Sequence, residues 1–219
     1  MEVARTAHVD PERLYGWVAR FEARHGAIAS TASDDALVLT AADGATARLI
    51  NRWEPFVGTG VAEFTEHVLR DRRVGFLLVR KGADAVGVAQ GTDLVAHRTS
   101  VHYVQGRTKA GGWSQQRYAR RRGNQATRAY DEAARDAFEV VVPHRADLDA
   151  LVTGGDRVGV DTVLADPRLE GLRGLPRRHP VLPVPDARLA VLYECVRQAR
   201  RVPVELDAAA VAVPSDGEA

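Results

Sequence analysis

Gly111, Gly112, Trp113, Ser114, Gln115 and Gln116 follow one another inside a stretch, residues 94–130, that holds no Asp or Glu. The same stretch carries eight cations: Arg98, Arg107, Lys109, Arg117, Arg120, Arg121, Arg122 and Arg128. The whole chain has a formal charge of only +1, so positive charge is concentrated here and the remaining residues are net acidic. Such a segment suits a nucleic-acid backbone, because each guanidinium that neutralises a phosphate releases condensed counterions. A helix that is merely soluble mixes signs to gain i to i+4 pairs, whereas no acidic partner stands between Arg117 and Arg128. A Gly-x-x-Gln spacing is weakly specific, since it occurs at 87–90 as well as at 112–115, but only the second copy is bordered by cations. Spacing alone leaves two readings of residues 111–116: a catalytic loop, or a glycine hinge leading into a nucleic-acid-binding helix.

Other constellations are weaker. Ser114 lacks the second glycine of a nucleophile elbow, and neither His97 nor His102 has a clear carboxylate partner in sequence. The seven histidines, His8, His25, His67, His97, His102, His144 and His179, show no ligand spacing, so no metal and no cofactor is expected. Asp84 and Asp93 flank a strand beside turns and read as turn residues rather than as Mg²⁺ ligands. Gly154, Gly155 and Asp156 before a helix fit either a phosphate cradle or a helix N-cap. The single Cys195 sits among helically spaced apolar residues and reads as a buried structural thiol.

The elements that must position residues 111–116 follow from periodicity. Residues 74–80, 84–90 and 94–104 form a meander of three strands, with turns at Lys81-Gly82-Ala83 and Gly91-Thr92. From 116 to 138 the period becomes helical: Ala119, Gly123, Ala126, Tyr130, Ala133 and Ala137 make one stripe, and Arg117, Arg121, Asn124, Arg128 and Arg135 the opposite one. A strand at 151–152, a helix at 157–164, a strand at 181–184 and a helix at 186–200 follow. Upstream, Asp10-Pro11 starts a helix with Leu14, Trp17, Val18 and Phe21 on one face, and Ala42-Asp43-Gly44 turns a hairpin between 36–40 and 46–50. The expected fold class is α/β: an antiparallel meander followed by strand-helix units, with an N-terminal helix plus β-hairpin. At 219 residues we expect one globular unit. Within it, residues 1–70 form an N-terminal region packed on the core, 71–205 the catalytic domain and 206–219 a flexible tail. No leader and no apolar run of membrane-spanning length is present, which places the chain in the cytoplasm away from membranes; a monomer is expected.

Residues 109–117 (KAGGWSQQR), the helix at 120–126 (RRRGNQA) and residues 151–157 (LVTGGDR) together resemble the bacterial, actinobacterial-type branch of the Vms-like release-factor family. That family is related to the middle domain of the eukaryotic and archaeal peptide-chain release factor. The resemblance covers roughly residues 74–200 and implies an RNase H-like mixed sheet and a peptidyl-tRNA hydrolase that frees stalled chains from the large ribosomal subunit. Its implied partners are that subunit, ribosomal RNA and peptidyl-tRNA.

Carried over by position, the family's Gly-x-x-Gln falls on Gly112 to Gln115, with Gly111 preceding it and Gln116 following directly, so either glutamine could face the ester. Lys109, Trp113, Arg117, Arg120, Arg121, Arg122 and Arg128 would hold RNA. An ester is intrinsically labile, and the demand is for one water held in line, which a neutral carboxamide can meet without titrating. Glycines let the backbone enter a cavity walled by RNA. Two other classes stay open: an endonuclease that clips the tRNA 3′ end, and a non-enzymatic RNA-binding module.

Overall fold

The computed structural model of the chain describes residues 2–102 and 113–212, and for 113–126 the backbone alone. Two compact units form where one was expected: Met1–Arg70 with Arg200–Ala219, and Asp71–Ala199. The division arises because a strand from the far end of the chain joins the N-terminal sheet.

The first unit is a five-stranded antiparallel sheet. Strands β1 (Arg5–Val9), β2 (Ile28–Ser33), β3 (Ala36–Ala41) and β4 (Thr46–Ile50) are joined by the chain's last strand, β9 (Val202–Leu206), in the order β1-β9-β4-β3-β2. The stretch 202–206, expected in the catalytic domain, therefore pairs with β1 and β4 instead. The expected hairpin is present, with Gly44 at φ 89° and Asp43 Oδ1 accepting the Ala45 N–H at 2.9 Å. Helix α1 (Leu14–His25) buries Leu14, Val18 and Phe21, spaced by four and then three residues, against Leu37, Leu39, Leu49 and Val204. It stops at Gly26, which takes φ 86° and donates its N–H to Glu22 O. Asp10 does not cap the helix: a 3-10 turn, Pro11–Arg13, precedes α1, and the Asp10 carboxylate accepts from Arg201 Nε at 3.0 Å.

Helix α2 (Val61–Leu69) has no expectation behind it. Its start is closed by Glu63, whose carboxylate accepts the N–H groups of Thr59 at 2.6 Å and Gly60 at 3.0 Å, and its Phe64 and Val68 enter the same core. Past β9, Asp207 accepts the Ala210 N–H at 2.8 Å and starts the short α7 (Ala208–Val211). The tail expected to fray from 206 is thus ordered through 212.

In the second unit the meander is as expected: β5 (Arg73–Arg80), β6 (Ala83–Gln90) and β7 (Asp93–Val101) pair antiparallel, and β8 (Ala150–Gly155) lies parallel to β5, giving the order β7-β6-β5-β8. Both central strands are buried along six consecutive residues, which requires cover on both faces. On one face Leu77, Val79, Val86 and Val88 meet Ala133, Ala134 and Ala137 of α3 (Trp113–Val140) together with Val160 and Val163 of α4 (Arg157–Leu164). The short α5 (Glu170–Arg173) adds Leu172 to this cluster. On the other face Gly87 makes room for Leu192 of α6 (Leu189–Arg200), which a Cβ on the glycine would approach to 3.1 Å.

The expected strand at 181–184 is reduced to one parallel bridge, Gly154 to Leu182. Pro180, Pro183 and Pro185 remove the N–H donors a longer ladder needs, so only Leu182 N to Thr153 O and Gly155 N to Leu182 O remain, each 2.9 Å. Cys195 is buried in α6, and burial pushes its thiol up to about 11, which suits the structural role expected of it.

Candidate functional site

Strand β7 carries the chain to His102, and helix α3 takes it up again at Trp113. Lys109, Gly111 and Gly112 lie outside the described residues, as do the side chains of Trp113, Gln115, Gln116, Arg117, Arg120, Arg121 and Arg122. The helix begins three residues earlier than its apolar period suggested, so Trp113, Ser114, Gln115 and Gln116 form its first turn instead of belonging to a loop. The reason is propensity: after Gly112 no Gly or Pro occurs before Gly123, and Gln, Arg and Ala all propagate a helix. Two consequences follow. The N–H groups of this first turn have no partner within the helix. Gln115 and Gln116 are also consecutive positions of that turn, and successive helical positions are turned by about 100°.

The helix spans 28 residues, about 42 Å at 1.5 Å per residue. The C-terminal half of its small-residue stripe packs on the sheet as expected: Ala133 and Ala137 are buried and Tyr130 is half-buried, with Ala129 and Ala134 beside them. Arg128 and Arg135, from the opposite stripe, are exposed.

A polar network fixes this helix to the two strands that lead into the site. Alternation places Arg98, Ser100 and His102 on the α3 side of β7, and the β6–β7 register sets Asp84 opposite Ser100. Glu132, Asp136 and Glu139 stand at i, i+4 and i+7 on α3 and meet them. His102 Nε2 lies 2.5 Å from Asp84 Oδ1, and its Nδ1 lies 2.5 Å from Glu132 Oε2. Arg98 donates to Asp136 at 3.1 Å and to Glu139 at 2.5 Å, while Ser100 donates to the second Asp136 oxygen.

Three expectations change here. Asp84 is wholly buried beneath α3 and is not a turn residue. His102 has two carboxylate partners. Arg98, counted with the RNA-seeking cations, is neutralised by carboxylates of the protein itself. The sequence does carry the signal, as a period-2 cationic strand face complementary to an acidic i, i+4, i+7 helix face, but it becomes visible only when β7 and α3 are known to pack together. Asp93 and His97 are exposed on β7 and stand apart from the network. Among the described residues no group of three or more His, Cys, Asp or Glu is arranged to hold a metal ion.

At the opposite edge of the sheet from β7, Gly155 ends β8 at φ 93°, where a Cβ would stand 2.1 Å from Val79 O, so only glycine fits. Asp156 then caps α4, accepting the Val158 N–H at 3.2 Å. A carboxylate already seated on the amide groups disfavours a phosphate there, which leaves the capping role.

Residues 72–205, more than half of the chain, match the family described as the Actinobacteria/chloroflexi VLRF1 release factor. The chain belongs to that family. The match takes in the whole second unit from residue 72 onward and extends through most of β9 of the first sheet. Among solved structures, this VLRF1-family chain is similar to the archaeal translation termination factor aRF1, at 12% identity over 89% of this chain and 66% of that one with a TM-score of 0.44. It is also similar to a structure described as an archaeal protein, at 13% identity over 87% and 62% of the two chains with a TM-score of 0.36. The chain thus spans a little under two thirds of the length of each. No curated protein matches it.

The network makes a pH prediction. Burial pushes the Asp84 carboxyl from 3.8 up to about 6; the hydrogen bond to His102 opposes this and the nearby Asp136 and Glu132 carboxylates add to it. A folded value above the unfolded one means that Asp84 favours the folded state most below about pH 4, and that this contribution is lost as the pH rises through about 6. Asp84→Asn, which cannot ionise, should therefore gain on the parent protein as the pH is raised from about 4 to 7. Melting temperatures of the two proteins across that range test it: a difference that stays constant or shrinks rules out an ionising Asp84.

Proposed function

We propose that this VLRF1-family protein hydrolyses the ester between a nascent peptide and tRNA on stalled large ribosomal subunits, with α3 as the element that docks on RNA and delivers the catalytic glutamine. The observation that carries the reading is that the family match includes the Gly-x-x-Gln segment, and that Gln115 stands in the first turn of a long helix whose other end is anchored in the core. On this reading Gly111 and Gly112 permit close approach, and Gln115 orients the attacking water. Gln116 is the alternative for that role. Lys109, Arg117, Arg120, Arg121, Arg122 and Arg128 neutralise phosphates, and Trp113 stacks on an unpaired base. The amide groups of the first helical turn are suited to stabilising a developing oxyanion.

The catalytic unit on this reading is Asp71–Ala199. An antiparallel meander followed by a parallel strand-helix unit supports an RNase H-like arrangement for it. The pairing of β7 with the C-terminal half of α3 through His102, Arg98 and Asp136 supports the positioning role, since it ties the strand that precedes the segment to the helix that follows it. Cytoplasmic residence and action as a monomer belong to the same proposal.

The nature of the cut bond decides between this activity and nucleolytic release. Large subunits carrying labelled peptidyl-tRNA are incubated with the purified protein, and the released tRNA is sized at nucleotide resolution. An intact 3′ end that can be charged again with amino acid is the expected product. A tRNA shortened at its 3′ end, with nucleotides left on the peptide, would replace the ester hydrolase by an endonuclease.

A further inference from the structure

The geometry points to a second RNA-binding site, on the first unit: a cationic, aromatic-floored cavity of about 380 Å³ that takes an unpaired nucleotide and its flanking phosphates. Three arginines line it, Arg5, Arg20 and Arg24, together with Trp17, Phe21 and His25, and among the described residues no carboxylate does.

Helical spacing explains the convergence. Trp17, Arg20 and Arg24 lie at i, i+3 and i+7 on α1, and so share one face. The register of β1 with β9 sets Arg5 directly opposite Leu206, which lines the same cavity, so the Arg5 side chain projects to that side of the sheet. All three arginines are exposed. Arg20 and Arg24 repel one another at i, i+4, and among the described residues Arg5, Arg20 and Arg24 form no ion pair. The one bond Arg24 makes there is to a neutral acceptor, the Ala212 carbonyl, at 2.5 Å. Among the described residues the three arginines therefore carry positive charge without an acidic partner around a concave surface, an arrangement that an anion relieves.

The aromatic residue selects the class of anion. Trp17 is half-buried, with its ring parallel to Phe21 at 13° and 5.5 Å between centroids, so the indole is held rigid where it borders the cavity. A flat, fixed indole beside planar guanidinium groups matches a base and its phosphates, and an acidic peptide would make no use of the ring. The volume falls in the range of small-ligand pockets, which suits one nucleotide rather than a duplex. This site stands independently of the ester-hydrolysis reading, because none of its residues belongs to the second unit.

The test uses the full chain and a short single-stranded oligoribonucleotide containing 4-thiouridine. Irradiation should give an adduct on the peptide that contains Trp17. Arg5→Ala with Arg20→Ala, both exposed and outside the core, should abolish that adduct and flatten the slope of log affinity against log salt by about 1.4, or about 0.7 per lost phosphate contact. Trp17→Leu should weaken binding roughly tenfold and leave the slope unchanged. Adducts confined to other peptides, an unaltered slope in the double arginine variant, or equal displacement of the RNA by polyglutamate would each overturn the site. Retained release activity in a Gln115 variant would count against the proposed reaction and leave this result untouched.

Discussion

Gln115→Ala should bind large subunits carrying peptidyl-tRNA as the parent protein does and release peptide roughly 100- to 1,000-fold more slowly, the range seen when one preorganised donor is removed from a transition state. The placement of this residue in the first turn of α3 sharpens the test, because a glutamine there has an ordinary occupation as well. From the third helical position a Gln or Glu side chain can reach back to the N–H of the residue before the helix and close its end. A capping role and a catalytic role both predict some loss on truncation to alanine, so alanine alone does not separate them.

Gln115→Glu does separate them. Glutamate caps a helix start at least as well as glutamine, and its charge is favourable beside the helix N-terminus. Its carboxylate is wrong for the chemistry: it offers no donor, it opposes the negative charge that develops on the carbonyl oxygen, and it is repelled by phosphates. A helix-capping residue would keep its activity as glutamate, and a water-positioning carboxamide would lose it. Gln116→Ala completes the set. Since successive helical positions are turned by about 100°, a single water-positioning role should make the loss fall on one variant and not be divided between them. Full release by Gln115→Ala, Gln115→Glu and Gln116→Ala alike would end the glutamine mechanism. Uniform loss of subunit binding would mean that the helix docks through this turn rather than reacts through it.

Why residues 113–116 read as a loop, and other elements read correctly, is a matter of which signals are local. Helix α1 was legible because its apolar residues recur at helical spacing and Gly26 is needed at φ 86° to end it. The β3–β4 hairpin was legible because Asp43-Gly44 supplies its turn chemistry. The start of α3 was not, because apolar spacing marks where a helix packs and says nothing of a turn that extends beyond the core. Strands β1 and β2 are mostly exposed edge strands with no clean alternation, and β9 pairs with β4 across more than 150 residues, so no local pattern announced them.

The candidate site divides in the same way. The Gly-x-x-Gln and the arginine run are visible in one dimension. The pairings of Asp84 with His102 and of Arg98 with Asp136 need a strand register and a helix face at once. A carboxylate beside a turn is ordinarily solvated, and only the docking of α3 buries this one.

That burial underlies the second large effect. His102→Leu should destabilise the second unit by roughly 3 kcal/mol at neutral pH, the penalty for removing one partner of a buried pair and leaving the other without compensation. Asp84 is wholly buried, among the described residues its Oδ2 has no hydrogen-bond partner, and its Oδ1 depends on His102. Without the imidazole the only relief is protonation. The His102 hydrogen bond lowers the Asp84 value that burial raises to about 6, so its loss moves Asp84 further up.

The damage should accordingly be largest near pH 7 and fade toward pH 5, where Asp84 takes up a proton in the variant. The double variant Asp84→Leu with His102→Leu removes both partners and should recover most of the lost stability, because an apolar pair can replace a buried polar one at little cost. Denaturant titrations of the three variants and the parent at two pH values form a double-mutant cycle. Coupling under about 1 kcal/mol with no pH dependence would mean that water reaches Asp84, and that the base of α3 is held by apolar packing and the bonds of Arg98 and Ser100 to Asp136 and Glu139.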